Sequence, residues 1–352
     1  MNWRRVNFDD NRSLAEILDI EKPGEAIQYL RSRGAIGAGE HPRVQVLAGG
    51  VSSRTVLVGR DGARSMVLKQ SLPKLRVAVD WFSSPERIHR EALALRWFPQ
   101  LGPAGAFTEF YFEDSREHLI AMEAVPQPHS NWKTMLLAGD LQLAHFRRFG
   151  ELLAALHRNS AARATELRPL FQEKTFFETL RVEPYYRYTA QQPDARAVAG
   201  FFQLLIDETL ATNVAIVHGD FSPKNVLLHQ DRMVLLDHEV AHFGDPAFDI
   251  GFAMAHFLSK AHHLPQLRTA FLDAAKEFWK SYNFAPYQEF EARCVRHSLA
   301  CVLARVWGRS PLEYLGPEAR TRQAAAVLAI MRNSPSEIPT LIDAFEKELA
   351  CR

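Results

Sequence analysis

One β-type island interrupts an otherwise helical second half of this 352-residue chain, and it narrows what the chain can become. Apolar residues recur at helical spacing over about 141–158, 173–181, 194–212, 264–281, 286–306, 318–332 and 336–349. At about 214–237 the pattern changes to short apolar runs, Ala215-Ile216-Val217 and Met233-Val234-Leu235-Leu236, with a polar loop between them. A lone strand pair is marginal in water. The island is therefore expected as a buried β patch within a larger helical lobe.

The first third has the opposite balance. Ser13 and Glu16 form an S-x-x-E capping box for a helix running to about Ser32. Residues 44–48, 55–58 and 65–69 read as short strands, with a hairpin turn at Gly59-Arg60-Asp61-Gly62. Ser84-Pro85-Glu86 opens a helix, serine capping and proline in the first turn, and Gly102-Pro103 stops it. Residues 107–112 and 119–125 read as two more strands, and Pro126 and Pro128 mark the change of character. The expected fold class is α+β in two lobes, a small β-rich one over 1–125 and a mainly helical one over 126–352.

With 47% hydrophobic and 24% charged residues, disorder, collagen and coiled coil are excluded as the main architecture. A net charge of +1 gives no whole-chain reason to expect nucleic acid or an anionic membrane. Three cysteines, Cys294, Cys301 and Cys351, cannot frame a disulfide scaffold, and none sits in C-x-x-C. That fits a reducing compartment. The start, MNWRRVNFDDNR, has no apolar signal core, and no run approaches the roughly 18 apolar residues of a membrane span. The expected location is the cytoplasm. The expected partner is a small-molecule acceptor, with no nucleic acid and no membrane, and a homodimer stays open.

The island carries His218-x-Asp220-x4-Asn225, and Asp237 closes the second apolar run, seventeen residues after Asp220. This order suits phosphoryl transfer. Asp220 can accept the proton of an attacking hydroxyl, Asn225 can reach a metal ion, and Asp237 can hold metals that bridge nucleotide phosphates. Taken singly, each is an ordinary turn or cap residue. The set gains weight from a second half upstream. Lys69 ends a strand and Glu91 lies on the next helix, an arrangement that orients a lysine onto α- and β-phosphates. Between two strands, Leu47-Ala48-Gly49-Gly50-Val51-Ser52-Ser53 can cover phosphates with its backbone and hydroxyls, although it matches neither G-x-G-x-x-G nor a Walker loop.

The runs from His218 to Asn225, from Leu235 to Glu239 and from Gly244 to Phe252 together resemble the aminoglycoside phosphotransferase/choline kinase superfamily, over about residues 14–349. Within it, Gly49 to Ser53, Leu68 to Val77, Trp81 and the acidic pair Asp237-x-Glu239 are similar to the methylthioribose kinases. The resemblance implies a protein-kinase-like fold with ATP and Mg²⁺ in its cleft. It implies that 1–125 is the nucleotide-binding lobe and that 126–352 holds the catalytic loop and acceptor site. Asp220 is then the catalytic carboxylate. Gly49, Gly50, Ser52, Ser53, Lys69 and Glu91 serve the nucleotide, with Glu123 and Val125 in a connector whose backbone pairs with adenine. Asn225, Asp237 and Glu239 hold metal, and Asp249 braces the catalytic loop. Methylthioribose kinases grip their sugar with two adjacent arginines. Here Ala304 precedes Arg305, so Arg305 alone is the expected substrate residue. Asn225 also stands where those enzymes depart from asparagine. The expected acceptor is sugar-like, with aminoglycoside or choline-type acceptors as alternatives.

Two other readings compete. His238-Glu239-Val240-Ala241-His242 spells H-E-x-x-H, which on a helix would place two imidazoles for zinc with the glutamate as base. Seven of the 14 histidines fall between 218 and 263. The β-type run before the motif and Gly244-Asp245-Pro246 after it leave little room for such a helix. Read as a strand end, Asp237 and Glu239 share one side and His238 takes the other. The second alternative is an inactive, kinase-shaped binding module, although Lys69, Asp220 and Asp237 are all present.

Overall fold

The computed structural model describes residues 18–48, 50–77 and 80–351. They form two units, one of residues through Ile88 with Tyr111–Ala124, the other of His89–Phe110 with Val125 onward. The division thus differs from the single expected cut after residue 125. Residues 89–110 go with the helical unit because their contacts lie there. Arg90 donates to the Leu170 carbonyl at 2.9 Å, Phe98 stacks on Phe171, and Leu235 N donates to the Ala106 carbonyl at 2.9 Å.

The first unit is a five-stranded sheet with one covering helix. Its strands are β1 (Arg43–Val46), β2 (Ser53–Gly59), β3 (Met66–Ser71), β4 (Phe110–Asp114) and β5 (Leu119–Glu123), in the order β1-β2-β3-β5-β4. Register sets Val56 opposite Leu68 and Leu68 opposite Ala121. All three are fully buried, and Ala26 and Leu30 of α1 (Pro23–Ser32) join the same core. The expected capping box at Ser13 and Glu16 lies outside the described residues. The helix itself starts at Pro23 rather than near Ser13. Proline is accepted in a first turn but breaks a helix interior, so a helix through Pro23 was not available. The β2–β3 connection is also longer than the expected tight turn. It runs over residues 60–65, with Gly62 at φ +74°. Lys69 therefore sits inside β3, which continues to Ser71.

Helix α2 (Arg87–Trp97) follows a turn over residues 84–86, two residues later than expected. In the second unit come β6 (Ser130–Asn131), α3 (Trp132–Leu137), α4 (Leu143–Ala162), α5 (Ala164–Phe171) and α6 (Thr175–Phe177). A π-helix, Glu178–Arg187, leads on to α7 (Tyr188–Ala190) and α8 (Ala199–Ala211). The β island resolves into β7 (Ala215–Val217), β8 (Val226–His229), β9 (Arg232–Leu235) and β10 (His242–Gly244). β7 pairs with β10, and β8 pairs with β6 and β9, all antiparallel. The chain ends in α9 (Ala247–His263), α10 (Arg268–Tyr282), α11 (Phe290–Trp307), α12 (Pro317–Met331) and α13 (Ile338–Ala350).

α9 is mostly apolar and buried along nearly its whole length, its polar residues Asp249, His256, Ser259 and Lys260 included. Gly251 lets it lie against α11, since a Cβ there would fall 2.3 Å from His297 Cβ. Trp132, Phe146, Phe149 and Phe257 form an aromatic core, and Phe149 stacks on Phe221 of the polar loop at 3.9 Å. Thus the loop after β7 is clamped from below by ring packing. Among the described residues no helix is long and apolar enough to cross a membrane.

Candidate active site

The loop after β7 is shaped by a glycine and by an acid on α9. Gly219 has φ +78°, and a Cβ there would meet Val240 Cβ at 3.1 Å, so a side chain is both strained and crowded out. Asp249 accepts from His218 N at 2.6 Å and Gly219 N at 2.8 Å. His157 Nε2 lies 3.2 Å from the same carboxylate, and His157 Nδ1 lies 2.8 Å from the Tyr282 hydroxyl. Burial opposes the Asp249 charge, but the His157 contact and the His218 backbone bond outweigh it, and its pKa is lowered. These bonds are the loop brace that the sequence resemblance implied.

His218 has a positioning role in the same loop. Asp220 N donates to His218 Nδ1 at 3.2 Å, which assigns the proton of a neutral ring to Nε2. Nε2 then donates to His238 Nδ1 at 3.0 Å. Burial presses the His218 pKa down, consistent with a neutral ring.

The Asp220 carboxylate is nearly buried, and three donors converge on its Oδ2. Asn225 Nδ2 donates at 2.8 Å, Arg181 Nη2 at 3.0 Å, and Lys224 Nζ stands at 3.7 Å. Asn225 Nδ2 also reaches the Asp220 carbonyl at 3.0 Å, so the asparagine oxygen is its remaining ligating atom. Arg181 is held by the Gly219 carbonyl at 2.6 Å. Its burial works against its charge, yet Asp220, followed by Tyr185, Glu239 and Asp237, keeps its pKa raised. Asp220 likewise raises the pKa of Lys224. Arg181 was not identified from sequence. It lies on the π-helix, where no local pattern marks it, and only the fold brings it to Asp220. Lys224 was legible in principle, since it sits between Asp220 and Asn225.

A second cluster lies in the same unit. Carboxylate oxygens of Glu91, Asp237 and Glu239 come within 4.8 Å of one another, with Glu91 and Glu239 buried. Asp237 takes φ +66°, a left-handed conformation uncommon for non-glycine residues that His118, Gln230, Asn283 and Glu289 also adopt. Three close acids repel unless a cation joins them. Their hard oxygen donors fit a divalent ion such as Mg²⁺. Glu91, which the sequence reading set beside Lys69, also places its carboxylate in this acidic group.

The H-E-x-x-H spelling does not form a zinc site. Residues 238–241 are a turn, and His242 begins β10, paired with Val217. The His242 ring stacks on Phe177 at 4.2 Å, and burial lowers its pKa to about 3. The His238 ring packs on Phe98 and Phe107 and meets His218. Glu239 therefore parts from both histidines and joins Asp237, as the sequence reading expected, but through a turn rather than a strand.

In the first unit, Gly49 lies outside the described residues. Gly50 is tightly placed, because a Cβ would come 2.9 Å from the Ser53 carbonyl. Ser52 and Ser53 are buried, and Ser53 Oγ has no hydrogen-bond partner among the described residues. Such an orphaned hydroxyl beside a close-approach glycine suits a loop that receives phosphate oxygens. Arg87, missed in the sequence, fixes this loop. Its buried guanidinium donates to the carbonyls of Ser52, Leu72, Ser83 and Ser84. Lys69 is buried on β3, opposite Thr55 and Ile120. Glu123 ends β5 opposite Met66, while Val125 belongs to the second unit and its carbonyl faces His129 Nδ1 at 3.1 Å. Arg305 on α11 is nearly buried. It donates to the Tyr185 hydroxyl and to Ser310 Oγ, each at 2.9 Å, and to the Ser310 carbonyl.

The model of the phosphotransferase enzyme family matches residues 43–290, and the chain belongs to that family. This is the aminoglycoside phosphotransferase/choline kinase group that the motifs resemble, and its class is that of small-molecule kinases. Methylthioribose kinase 2 of Oryza sativa subsp. japonica is 27% identical over 270 residues, covering 67% of this chain and 63% of the rice protein's length. Methylthioribose kinase of Pectobacterium carotovorum subsp. carotovorum is 23% identical over 341 residues, covering 84% of this chain and 83% of its own. Among solved structures, an amicoumacin kinase in complex with AMP-PNP and Ca²⁺ matches with a TM-score of 0.57 at 15% identity, over 88% of this chain and 95% of that one. A choline/ethanolamine kinase family protein from Mesorhizobium loti matches at 0.53 and 15%, over 92% and 99%. These two likenesses show a shared kinase-like fold.

Proposed function

We propose that the chain transfers the γ-phosphate of ATP, with Mg²⁺, to a hydroxyl of a small sugar-like metabolite, in the class to which methylthioribose belongs. The observation that carries this reading is the pairing of two carboxylate groups in one unit. Asp220 is held by Asn225, Arg181 and Lys224, and the triad Glu91, Asp237 and Glu239 has oxygens within 4.8 Å. When bound, ATP supplies the phosphoryl group and Mg²⁺ offsets its negative charge.

The residues then divide the work. Asp220 Oδ1, which takes no bond among the described residues, receives the acceptor hydroxyl and its proton. Arg181 and Lys224 hold Oδ2, so the carboxylate keeps its orientation when substrate arrives. Asp237 and Glu239, with the Asn225 oxygen, hold the metal, and Glu91 adds a third carboxylate there. Lys69 and the Gly50, Ser52 and Ser53 loop serve the phosphates, and Glu123 and Val125 offer backbone groups to the adenine. Arg305 serves the acceptor. The names of the curated relatives support the sugar-like class.

The test is an ATP-consumption screen with product detection over free pentoses, deoxy and thio sugars, aminoglycosides and choline. Mg²⁺-dependent formation of a phosphorylated sugar is the expected result. Transfer to aminoglycosides or choline alone would replace the acceptor class, and a chelator-sensitive hydrolysis without phosphoryl transfer would overturn the reading.

A further inference from the structure

A chain of contacts leads from Asp220 to a group of cations that phosphoryl transfer itself does not use. Arg181, bound to Asp220, lies 5.9 Å from the Tyr185 ring centre and 5.7 Å from that of Phe252. Arg305 lies over the same Tyr185 ring at 5.7 Å. Phe252 packs on His256 at 5.3 Å, and Lys260 follows one turn later on α9.

Lys260 is fully buried, yet among the described residues its side-chain nitrogen makes one hydrogen bond, a long 3.4 Å contact to the His256 carbonyl of its own helix. It also stands 5.5 Å from the Tyr314 ring centre. Among the described residues no carboxylate pairs with it. Glu313, the acid beside Tyr314, is bound to Lys133. Two further polar atoms here are buried and have no hydrogen-bond partner among the described residues, Arg305 Nε and the Tyr314 hydroxyl. Burial, then Lys133 and Arg305, lower the Lys260 pKa to about 7 against the pull of Glu313. Burial lowers that of His256 well below its usual value, with Lys260, Arg305, Lys224 and Lys133 acting the same way.

Buried charges and donors are ordinarily paired. Among the described residues, a lysine here lacks a counter-charge while an arginine Nε and a phenol lack hydrogen-bond partners, and all three can donate to an anion. We propose that this group binds an anionic substituent, a carboxylate or a phosphate ester, on the hydroxylated acceptor, which rests on the reading that Asp220 receives the acceptor hydroxyl. An anion supplies the counter-charge Lys260 lacks and acceptors for Arg305 Nε and the Tyr314 hydroxyl. An aminoglycoside or choline, being cationic, would meet like charge instead.

Two measurements test this together. The first is ATP-dependent phosphorylation of a matched pentose and hexose series: neutral sugar, aldonate, sugar phosphate and amino sugar. The second is calorimetric binding of the aldonate and the sugar phosphate to wild type and to Lys260→Met, which keeps the side-chain length without the charge. The expected result is kcat/KM at least tenfold higher for an anionic member than for the neutral sugar. Lys260→Met should raise its KM and Kd at least tenfold, leave the KM for ATP within twofold, and not lower the melting temperature. Which of the two anions is used identifies the substituent. Preference for the neutral or amino sugar overturns the anion site while the kinase reading stands. Anion binding that is lost in Lys260→Met, with no phosphoryl transfer to any member, supports the site and overturns the kinase reading. Neither binding nor transfer overturns both.

Discussion

The two ends of α9 carry two wholly buried charges, and they are treated in opposite ways. Asp249 and Lys260 are eleven residues apart, about three turns, which puts them on the same side of the helix. Asp249 receives two backbone N–H groups and a histidine. Among the described residues, Lys260 has one 3.4 Å bond and an aromatic ring. A buried acid with every partner in place belongs to the scaffold, because its bonds are complete before anything binds. A buried base without an acid costs stability in the free protein, and such a cost persists where a ligand supplies the missing partner.

The sharpest way to break the comparison is Asp249→Ala. It strips acceptors from two loop N–H groups and from His157, and should destabilise the fold by about 3–5 kcal/mol in denaturant unfolding. A loss below about 1 kcal/mol would mean that the acid is not a structural brace. The Asp249 pKa is lowered in the folded state. Its contribution is therefore present above the ordinary aspartate value, about 3.9, and is lost as pH falls through the lower folded value. The alanine variant should show a shallower loss of stability in that acid window.

Lys260→Met should act in the other direction, with a gain of about 1–3 kcal/mol at neutral pH. The folded pKa, near 7, lies below the unfolded lysine value of about 10.4. The unfolded chain therefore binds the extra proton between these values, and wild-type stability rises with pH across that window. The advantage of the variant should shrink as pH is raised from 7 toward 10. A constant difference between the two proteins would show that Lys260 is paired in solution.

Arg305→Lys examines the acceptor side more finely. Lysine cannot reproduce the guanidinium fork, so kcat/KM for the acceptor should fall by the equivalent of about 1–3 kcal/mol. ATP affinity should hardly move. Parallel loss of both, or of neither, would make Arg305 a helix-anchoring residue through Tyr185 and Ser310 alone. The smallest functional effect is expected for His242→Ala. Its ring stacks on Phe177, away from the carboxylates, so Mg²⁺ and nucleotide affinities should stay as they are even though the core loses packing. Zinc that is stoichiometric in wild type and absent in this variant would restore the rival motif.

What could be read from sequence followed the range of the interactions involved. The β island and the order Asp220, Asn225, Asp237 are local, and spacing revealed them; Glu239 was expected beside Asp237 on a strand end, and a turn places it there instead. Pro23 held the information that shortened α1, but the capping box upstream outweighed it. Arg181 and Arg87 were not legible, because each meets its partners across long stretches of chain, Arg181 to Asp220 and Arg87 to Ser52. The same holds for Lys260. Nothing local in the sequence marks it, and only packing shows that among the described residues no carboxylate pairs with it.

The central claim is that Asp237 and its neighbouring acids hold the metal for phosphoryl transfer, and Asp237→Asn tests it most directly. Steady-state turnover at saturating Mg²⁺ should fall at least about 100-fold, the usual scale for removing charge stabilisation, while the unfolding midpoint stays that of wild type. Near-normal kcat in that variant would contradict the account.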